Sequence, residues 1–488
     1  MSNFKFLQEL LNTVADQSRI FLPRAFFPHG SEQGLQELAQ ALMSVRGEAS
    51  GVAIARQLAH HYEMSTQDAK LSFFSYLANT LKPNTEKVCL AAQEYMSKPN
   101  PDNLVKLQNS LASPLQEFFR RVNSAAGGTA EIVRMRSDLI GFMRTQPDLE
   151  ELRIIDRDVE HLLQSWFNRG FLVLRRIDWN TPASILDKII AYEAVHQING
   201  WDDLRRRLNP ADRRCFAFFH PSLVDEPLIF VQVALMNEIP ANISSVLALE
   251  PSKLEEETAP TTAVFYSISN CQNGLRGISF GNFLIKQVVE ELSRECPSLR
   301  TFVTLSPVPG FASWLENLAD TEHCDILGES TQETVTTIRA GEWAINEALV
   351  DKLEPSMQAL AAAYLLNARN NRGQPVDPVA RFHLGNGARL ERINWPADLS
   401  SRGLRQAHGL MVNYLYVLGD IEKNHEAYAN DGTIAAGRSI RSMVKVKPRS
   451  HDAAAKDKSD ASAADAEQET PGDVTAGNKQ NPISSDDS

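Results

Sequence analysis

Residues 262–310 read TAVFYSISNCQNGLRGISFGNFLIKQVVEELSRECPSLRTFVTLSPVPG. The β-branched run TAVFYSIS (262–269) predicts a strand, and LRTFVTL (299–305) predicts a second. Between them lie a glycine-containing loop and an amphipathic helix with Phe283, Leu284, Val288 and Leu292 on one face. A strand–helix–strand unit makes its two strands parallel through a right-handed crossover. Both strand ends and the helix N-terminus then lie on one side, where open α/β sheets hold ligands. Ser306, between the second strand and the turn Pro307-Val308-Pro309, sits a short reach from that side. The segment therefore predicts an anion cradle with a polar group near the far end of whatever it holds.

Outward from this unit, CFAFFH (215–220) and PLIFVQVALM (227–236) form a hairpin across PSLVDE, feeding the parallel pair to give a mixed sheet. Residues 238–261 are a polar excursion before the third strand. Residues 1–168 read as helical throughout: Leu152, Ile155, Val159, Leu162 and Trp166 recur at helical spacing, as do Leu104, Leu107 and Leu111. These faces suit packing within the chain and contact between subunits equally. Asn168-Arg169-Gly170 supplies a stop. Residues 340–372 read as helical again, before the turn-dense NARNNRGQPVDP. The fold class is α+β: a helical bundle domain at 1–168, a mixed-sheet domain with flanking helices at 169–445, and a disordered acidic tail at 446–488.

The formal charge of −12 over 488 residues argues against a general nucleic-acid binder. Residues 451–488 carry nine Asp/Glu and three Lys, so 9 − 3 = 6 of the excess negative charges belong to the tail. The five cysteines (Cys89, Cys215, Cys271, Cys296, Cys324) are widely spaced with no C-x-x-C pair, which suits a reducing compartment. The N-terminal stretch resembles no secretory or transit peptide, and no apolar run of about 18 residues spans a membrane. The chain ends SSDDS, which is no peroxisomal signal. A cytoplasmic protein is expected, with no metal and no nucleotide hydrolysis, since neither H-x-x-x-H nor a Walker loop is present.

The loop Arg276-Gly277-Ile278-Ser279-Phe280-Gly281-Asn282, closed by Phe283-Leu284, resembles R-x-x-G-x-G-x-x-L, the pyrophosphate loop of the acyl-CoA N-acyltransferase (GNAT) superfamily. Ser279 replaces the first glycine of that pattern. Gly277 and Gly281 allow a tight backbone turn whose N–H groups face a diphosphate at the helix start. Taken alone, such a loop fits a structural turn as well. Ser267 and Ser269 on one face of the preceding strand, and Ser306 after the next, favour the ligand reading.

His383 lies in VARFHLGNGARLERINW, flanked by Phe382 and Leu384 and followed by the turn Asn386-Gly387. A lone histidine is more often a packing residue than a catalytic one. Together, however, TAVFYSIS, GLRGISFGNFLIK, LSPVPGF, VARFHLGNGARLERINWPADLS and GLMVNYLY closely resemble the malonyl-CoA decarboxylase family over most of residues 165–420. The resemblance implies an oligomer, a tetramer, assembled through the helical domain, and a GNAT-like catalytic domain. It also implies conversion of malonyl-CoA to acetyl-CoA and carbon dioxide without metal or organic cofactor, the CoA thioester being the substrate. The family's serine and histidine fall on Ser306 and His383, its CoA loop on Arg276 through Asn282, and a nearby tyrosine on Tyr416. Ser267 is a further hydrogen-bonding candidate. The glutamate that some members carry in the loop is Ser279 here, which puts a catalytic role at that position in doubt.

Two other functions compete: a CoA-dependent acyltransferase, which needs an acceptor amine, and an inactive CoA-binding scaffold, which needs no turnover. No G-x-S-x-G surrounds Ser306, which weakens a serine-hydrolase reading. His220 is expected to pack at a strand end. His408 and His425 are expected in solvent, and Arg381, Arg389, Arg392 and Lys286 on exposed faces.

Overall fold

The computed structural model describes residues 32–44, 47–248, 259–278, 283–319 and 330–444. The expectations for residues 1–31, loop residues 279–282, Cys324 and the tail 446–488 lie outside the described residues.

The first part of the chain is helical: α1 (Glu32–Ser44), α2 (Glu48–Met64), α3 (Gln67–Thr80), α4 (Thr85–Ser97), α5 (Pro101–Ser110), α6 (Pro114–Asn123), α7 (Gly128–Thr145) and α8 (Glu150–Trp166). The boundaries follow from local chemistry. Thr66, Asn84, Asn100 and Ser113 each cap the helix that follows by accepting a backbone N–H, and Pro101 and Pro114 open theirs. Leu152, Ile155, Val159 and Leu162 of α8 are buried as their spacing predicts, and Phe73, Phe74, Phe118 and Phe119 fill the bundle core. The α4–α5 hairpin differs. Neither helix buries a residue, and Leu90, Met96, Leu104 and Val105 are exposed.

The second part runs β1 (Val173–Ile177), α9 (Ala183–Tyr192), α10 (Trp201–Leu208), β2 (Arg213–Phe219), β3 (Pro227–Met236), α11 (Ile243–Leu247), β4 (Thr262–Asn270), α12 (Phe283–Glu295), β5 (Thr301–Thr304) and β6 (Ser306–Pro307). It continues through α13 (Phe311–Ala319), α14 (Ser330–Ala340), α15 (Glu347–Asn367), α16 (Pro378–Gly385), β7 (Arg389–Asn394), α17 (Ser401–Ala407), β8 (Met411–Leu415), α18 (Ile421–Asp431) and α19 (Arg438–Met443). The sheet order is β1-β2-β3-β4-β5-β8-β6, with β7 also on β8. The predicted hairpin is β2–β3, antiparallel, and the predicted parallel pair is β4–β5. The result is a mixed sheet with flanking helices. Ile185, Leu186, Ile189 and Leu204 of α9 and α10 pack on Ala217, Phe219 and Phe230 of the sheet.

Four strands were not expected from the sequence: β1, the two-residue β6, β7 and β8. The expected helix over 340–372 is shorter: a 3-10 turn at Glu342–Ile345 precedes α15, which ends at Asn367. The feature that organises the site is a parting of strands. The β4–β5 register stops at Phe265↔Thr304, with one more bond from Leu305 N–H to the Phe265 carbonyl at 3.0 Å. Beyond it β4 continues to Asn270, whereas the other strand resumes as β6 against β8, where Ser306 faces Val412. Ser306 thus stands at the mouth of the gap.

Candidate active site

Strands alternate their side chains between faces, so Tyr414 and Tyr416 at the end of β8 share one face. Val412, two residues earlier, shares it, and with it Ser306, its cross-strand neighbour. Onto this face comes α16, opened by Pro378 and capped by Asp377, with His383 in its last turn. The His383 ring stacks on Tyr414 at 4.6 Å between centroids.

Three side chains distant in sequence meet here. His383 Nε2 lies 3.0 Å from Ser306 Oγ, and His383 Nδ1 lies 2.9 Å from the Tyr416 hydroxyl. Ser306 donates to Thr304 Oγ1 at 2.8 Å, an oxygen that also accepts the Tyr414 N–H at 3.1 Å. With Ser306 donating to Thr304, Nε2 carries the imidazole proton and Nδ1 accepts from Tyr416. The chain of hydrogen bonds is directed from Tyr416 through His383 to Ser306. It is also dry: Ser306 is 5%, His383 3% and Tyr416 2% exposed. Burial pushes the His383 imidazole down to about 3 and raises the Tyr416 phenol well above its ordinary range. At neutral pH both are uncharged hydrogen-bonding groups.

The structure brings together Ser306, His383 and Tyr416, and leaves Ser267 elsewhere. Ser267 Oγ donates to the Glu193 carboxylate at 2.8 Å, a group that also binds Gln232 at 2.6 Å and the N–H groups of Val195 and His196. Its hydroxyl completes a polar knot on the α9 side of the sheet. A cavity of about 1060 Å³ lined by His196, Asn242, Asp398 and Arg402 contains none of the three site residues.

Of the predicted anion loop, Arg276, Gly277 and Ile278 are described. Gly277 adopts φ +86°, a left-handed turn suited to glycine. The turn leading to it is held by the helical region. Arg136 of α7, 3% exposed, donates from Nη1 to the carbonyls of Gly274 and Arg276, each at 2.8 Å, and its Nε meets Asp156 of α8 at 2.8 Å. A Cβ at Gly274 would run into the Val133 carbonyl oxygen, so only glycine permits this approach.

Other expectations sort as follows. His220 packs between Phe167 and a bond from the Ser222 N–H, as expected. His408 and His425 are partly buried, less open to solvent than expected. Burial lowers the His408 pKa, and His425 Nδ1 lies 2.7 Å from the Gly385 carbonyl oxygen. Arg389 pairs with Glu391, but Arg381 and Arg392 brace backbone carbonyls at Pro375 and Pro240, which a surface reading misses. Lys286 sits on the surface beside Glu422. Cys89, Cys215, Cys271 and Cys296 are free thiols. Among the described residues no group of His, Cys, Asp and Glu could hold a metal ion, and no helix is long and apolar enough to cross a membrane. Sequence reasoning missed Thr304, Tyr414, Glu193, Asp377 and Arg136. The period of two on β8, once that strand is recognised, would have placed Tyr414 beside Tyr416.

Comparison with known proteins identifies relatives along most of the chain. The malonyl-CoA decarboxylase C-terminal domain family matches residues 170–454, and the corresponding N-terminal domain family matches residues 81–167. A solved malonyl-CoA decarboxylase from Rhodopseudomonas palustris is 51% identical with a TM-score of 0.80, covering 84% of this chain and 99% of its own. One from Agrobacterium vitis is 48% identical at 0.79, covering 84% and 100%. The mitochondrial malonyl-CoA decarboxylase of Rattus norvegicus is 37% identical over 362 residues, 70% of this chain and 73% of that protein. On these matches the chain belongs to the malonyl-CoA decarboxylase family.

Proposed function

We propose that the chain is a carboxy-lyase that converts malonyl-CoA to acetyl-CoA and carbon dioxide, with Ser306 and His383 at the reacting end. The observation that carries this reading is the dry Tyr416–His383–Ser306 hydrogen-bond chain at the parting of β4 and β5. Beyond Phe265 the strands no longer pair, and β4 offers backbone groups with which an amide-bearing arm such as pantetheine can bond. The loop Arg276–Asn282 at the N-terminal end of α12 suits the diphosphate, leaving the thioester to reach Ser306.

The chemistry follows from these groups. Cleavage of the carboxylate carbon–carbon bond releases carbon dioxide and leaves its electron pair on the methylene carbon, shared with the thioester oxygen as an enolate. The thioester is itself the electron sink, so the reaction needs no further cofactor. Ser306 Oγ and the His383 Nε2–H donate to the developing oxyanion, and the dry surroundings strengthen both bonds. His383 arrives neutral, polarising oxygen as a hydrogen-bond donor, and negative charge growing beside it raises its proton affinity. It then passes a proton drawn from solvent to the enolate carbon. One proton is consumed as the substrate carboxylate leaves, so atoms and charge balance.

The test is malonyl-CoA supplied to the purified protein with no acceptor amine, with acetyl-CoA and carbon dioxide both measured. His383→Ala and Ser306→Ala should fold, bind substrate and lose roughly 10²–10⁴-fold in kcat. Product formation that requires an added amine would replace this reading with acyl transfer. Wild-type inactivity would favour a scaffold.

The same reading takes residues 1–168 and 169–445 as bundle and catalytic domains in a cytoplasmic homo-oligomer, a tetramer by family resemblance. The uncovered apolar side chains of the α4–α5 hairpin support assembly through the bundle.

A further inference from the structure

We infer that Thr304 is a positioning residue that sets the direction of the hydrogen-bond chain: it draws the Ser306 proton away from His383, so that the imidazole keeps its own proton on Nε2. The effect on rate rests on the roles proposed for Ser306 and His383, whereas the placement of the proton stands apart from them.

Thr304 is wholly buried, 0% exposed, at the last position where β5 pairs with β4. It is held from two more sides. Asn413 Nδ2 donates to its carbonyl at 2.8 Å, and the Tyr414 N–H donates to its Oγ1 at 3.1 Å. Asn413 is itself fixed, since its Oδ1 accepts from Arg392 Nε at 3.1 Å and from Asn394 Nδ2 at 2.8 Å. The ladder along β8 is broken here: Val303 stands opposite Leu415, and pairing resumes with Ser306 opposite Val412. The two bonds to Thr304 bridge that step and leave its Oγ1 2.8 Å from Ser306 Oγ. A β-branched side chain has few rotamers, so this oxygen is not free to swing away.

A serine hydroxyl has one proton to give. Ser306 has two partners in reach, Thr304 Oγ1 at 2.8 Å and His383 Nε2 at 3.0 Å, and it donates to the threonine. Nε2 then brings the proton to its bond with Ser306, and Nδ1 accepts from Tyr416. Burial holds the imidazole neutral, so only one of its nitrogens donates. Without the threonine oxygen the same three groups can run the other way. Ser306 then donates to Nε2, and the Nδ1–H donates to the Tyr416 oxygen. That reversed chain is a hydroxyl backed by a base, the arrangement that activates a serine for attack on a carbonyl. The observed direction instead offers an N–H to an oxyanion. Thr304 selects between two chemistries open to one pair of side chains.

The test is the protonation site of His383 in the ligand-free protein. Long-range proton–nitrogen NMR on histidine-labelled enzyme reads it, with His383→Gln assigning its signals among the 11 histidines. Wild type should show Nε2–H. Thr304→Val keeps the shape and removes the oxygen. It should show Nδ1–H and lose about 10²-fold or more in kcat, with KM for malonyl-CoA within about 3-fold. Thr304→Ser returns the oxygen and should return both Nε2–H and a kcat within about 3-fold of wild type. A merely structural role could lower kcat in the valine protein by displacing Tyr414, whose ring stacks on His383, but it would leave the proton on Nε2. Nδ1–H in the wild type overturns the inference without any variant, which covers the case of a valine protein that does not fold. An unmoved proton in folded Thr304→Val overturns it as well. A moved proton with unchanged kcat upholds the inference and sinks the role proposed for His383.

Discussion

Burial of His383 has a consequence for stability that can be given a sign. Its imidazole has an ordinary value of 6.5 and is pushed down to about 3 in the folded chain. Between these values the unfolded chain binds a proton that the folded chain refuses, so stability falls as pH drops from about 6.5 towards about 3. His196, pushed down to about 4 by burial, adds to the same trend. Thermal unfolding followed from pH 7.5 to 4.5 should show a steep decline, made shallower by His383→Gln, which cannot take up the proton. An identical slope in that variant would show that His383 does not carry the effect. Ser306 was legible from its place after a predicted strand, whereas His383 stood out only through the family resemblance, since its local surroundings suit a packing residue equally well. Thr304, Glu193 and Asp377 were silent, since each matters only through what the fold brings to it.

Elements were legible where a period of two or 3.6 ran undisturbed. The β4–α12–β5 unit carries such a pattern, whereas β1 (VLRRI) is a charged strand with exposed positions and β7 (RLERIN) carries charged residues at half-buried ones, which blunts any alternation. Charge suits an edge strand such as β1 for the same reason that it hides one, by discouraging further pairing. The element-level contact with most reach is between α7 and the turn before Gly277. If Arg136 shapes the loop, Arg136→Gln should raise KM for malonyl-CoA about 10-fold, the equivalent of about 1.4 kcal/mol, and change kcat little. Steady-state kinetics with malonyl-CoA read this directly. Gly274→Ala should act in the same direction, by pushing the turn off Val133. An effect confined to kcat would place these residues in the chemistry and not in binding.

Across the molecule the uncovered surface is as informative as the buried one. Leu104 and Leu111 lie on the helical stripe that the sequence left open between internal packing and subunit contact, and the body of this chain leaves both exposed. In the proposed oligomer, Leu90→Glu with Met96→Glu should shift light-scattering mass towards the monomer while preserving the helical signal. Unchanged mass would send the search for the interface elsewhere. A last consequence concerns how the protein acquires activity as it folds. Ser306 and His383 are 77 residues apart, and Tyr416 follows on the strand that joins β5, β6 and β7. Such contacts close long loops and form slowly compared with local helices. The bundle can be complete while the enzyme is inert. Catalysis, on this architecture, reports the closing of the sheet, and helicity does not.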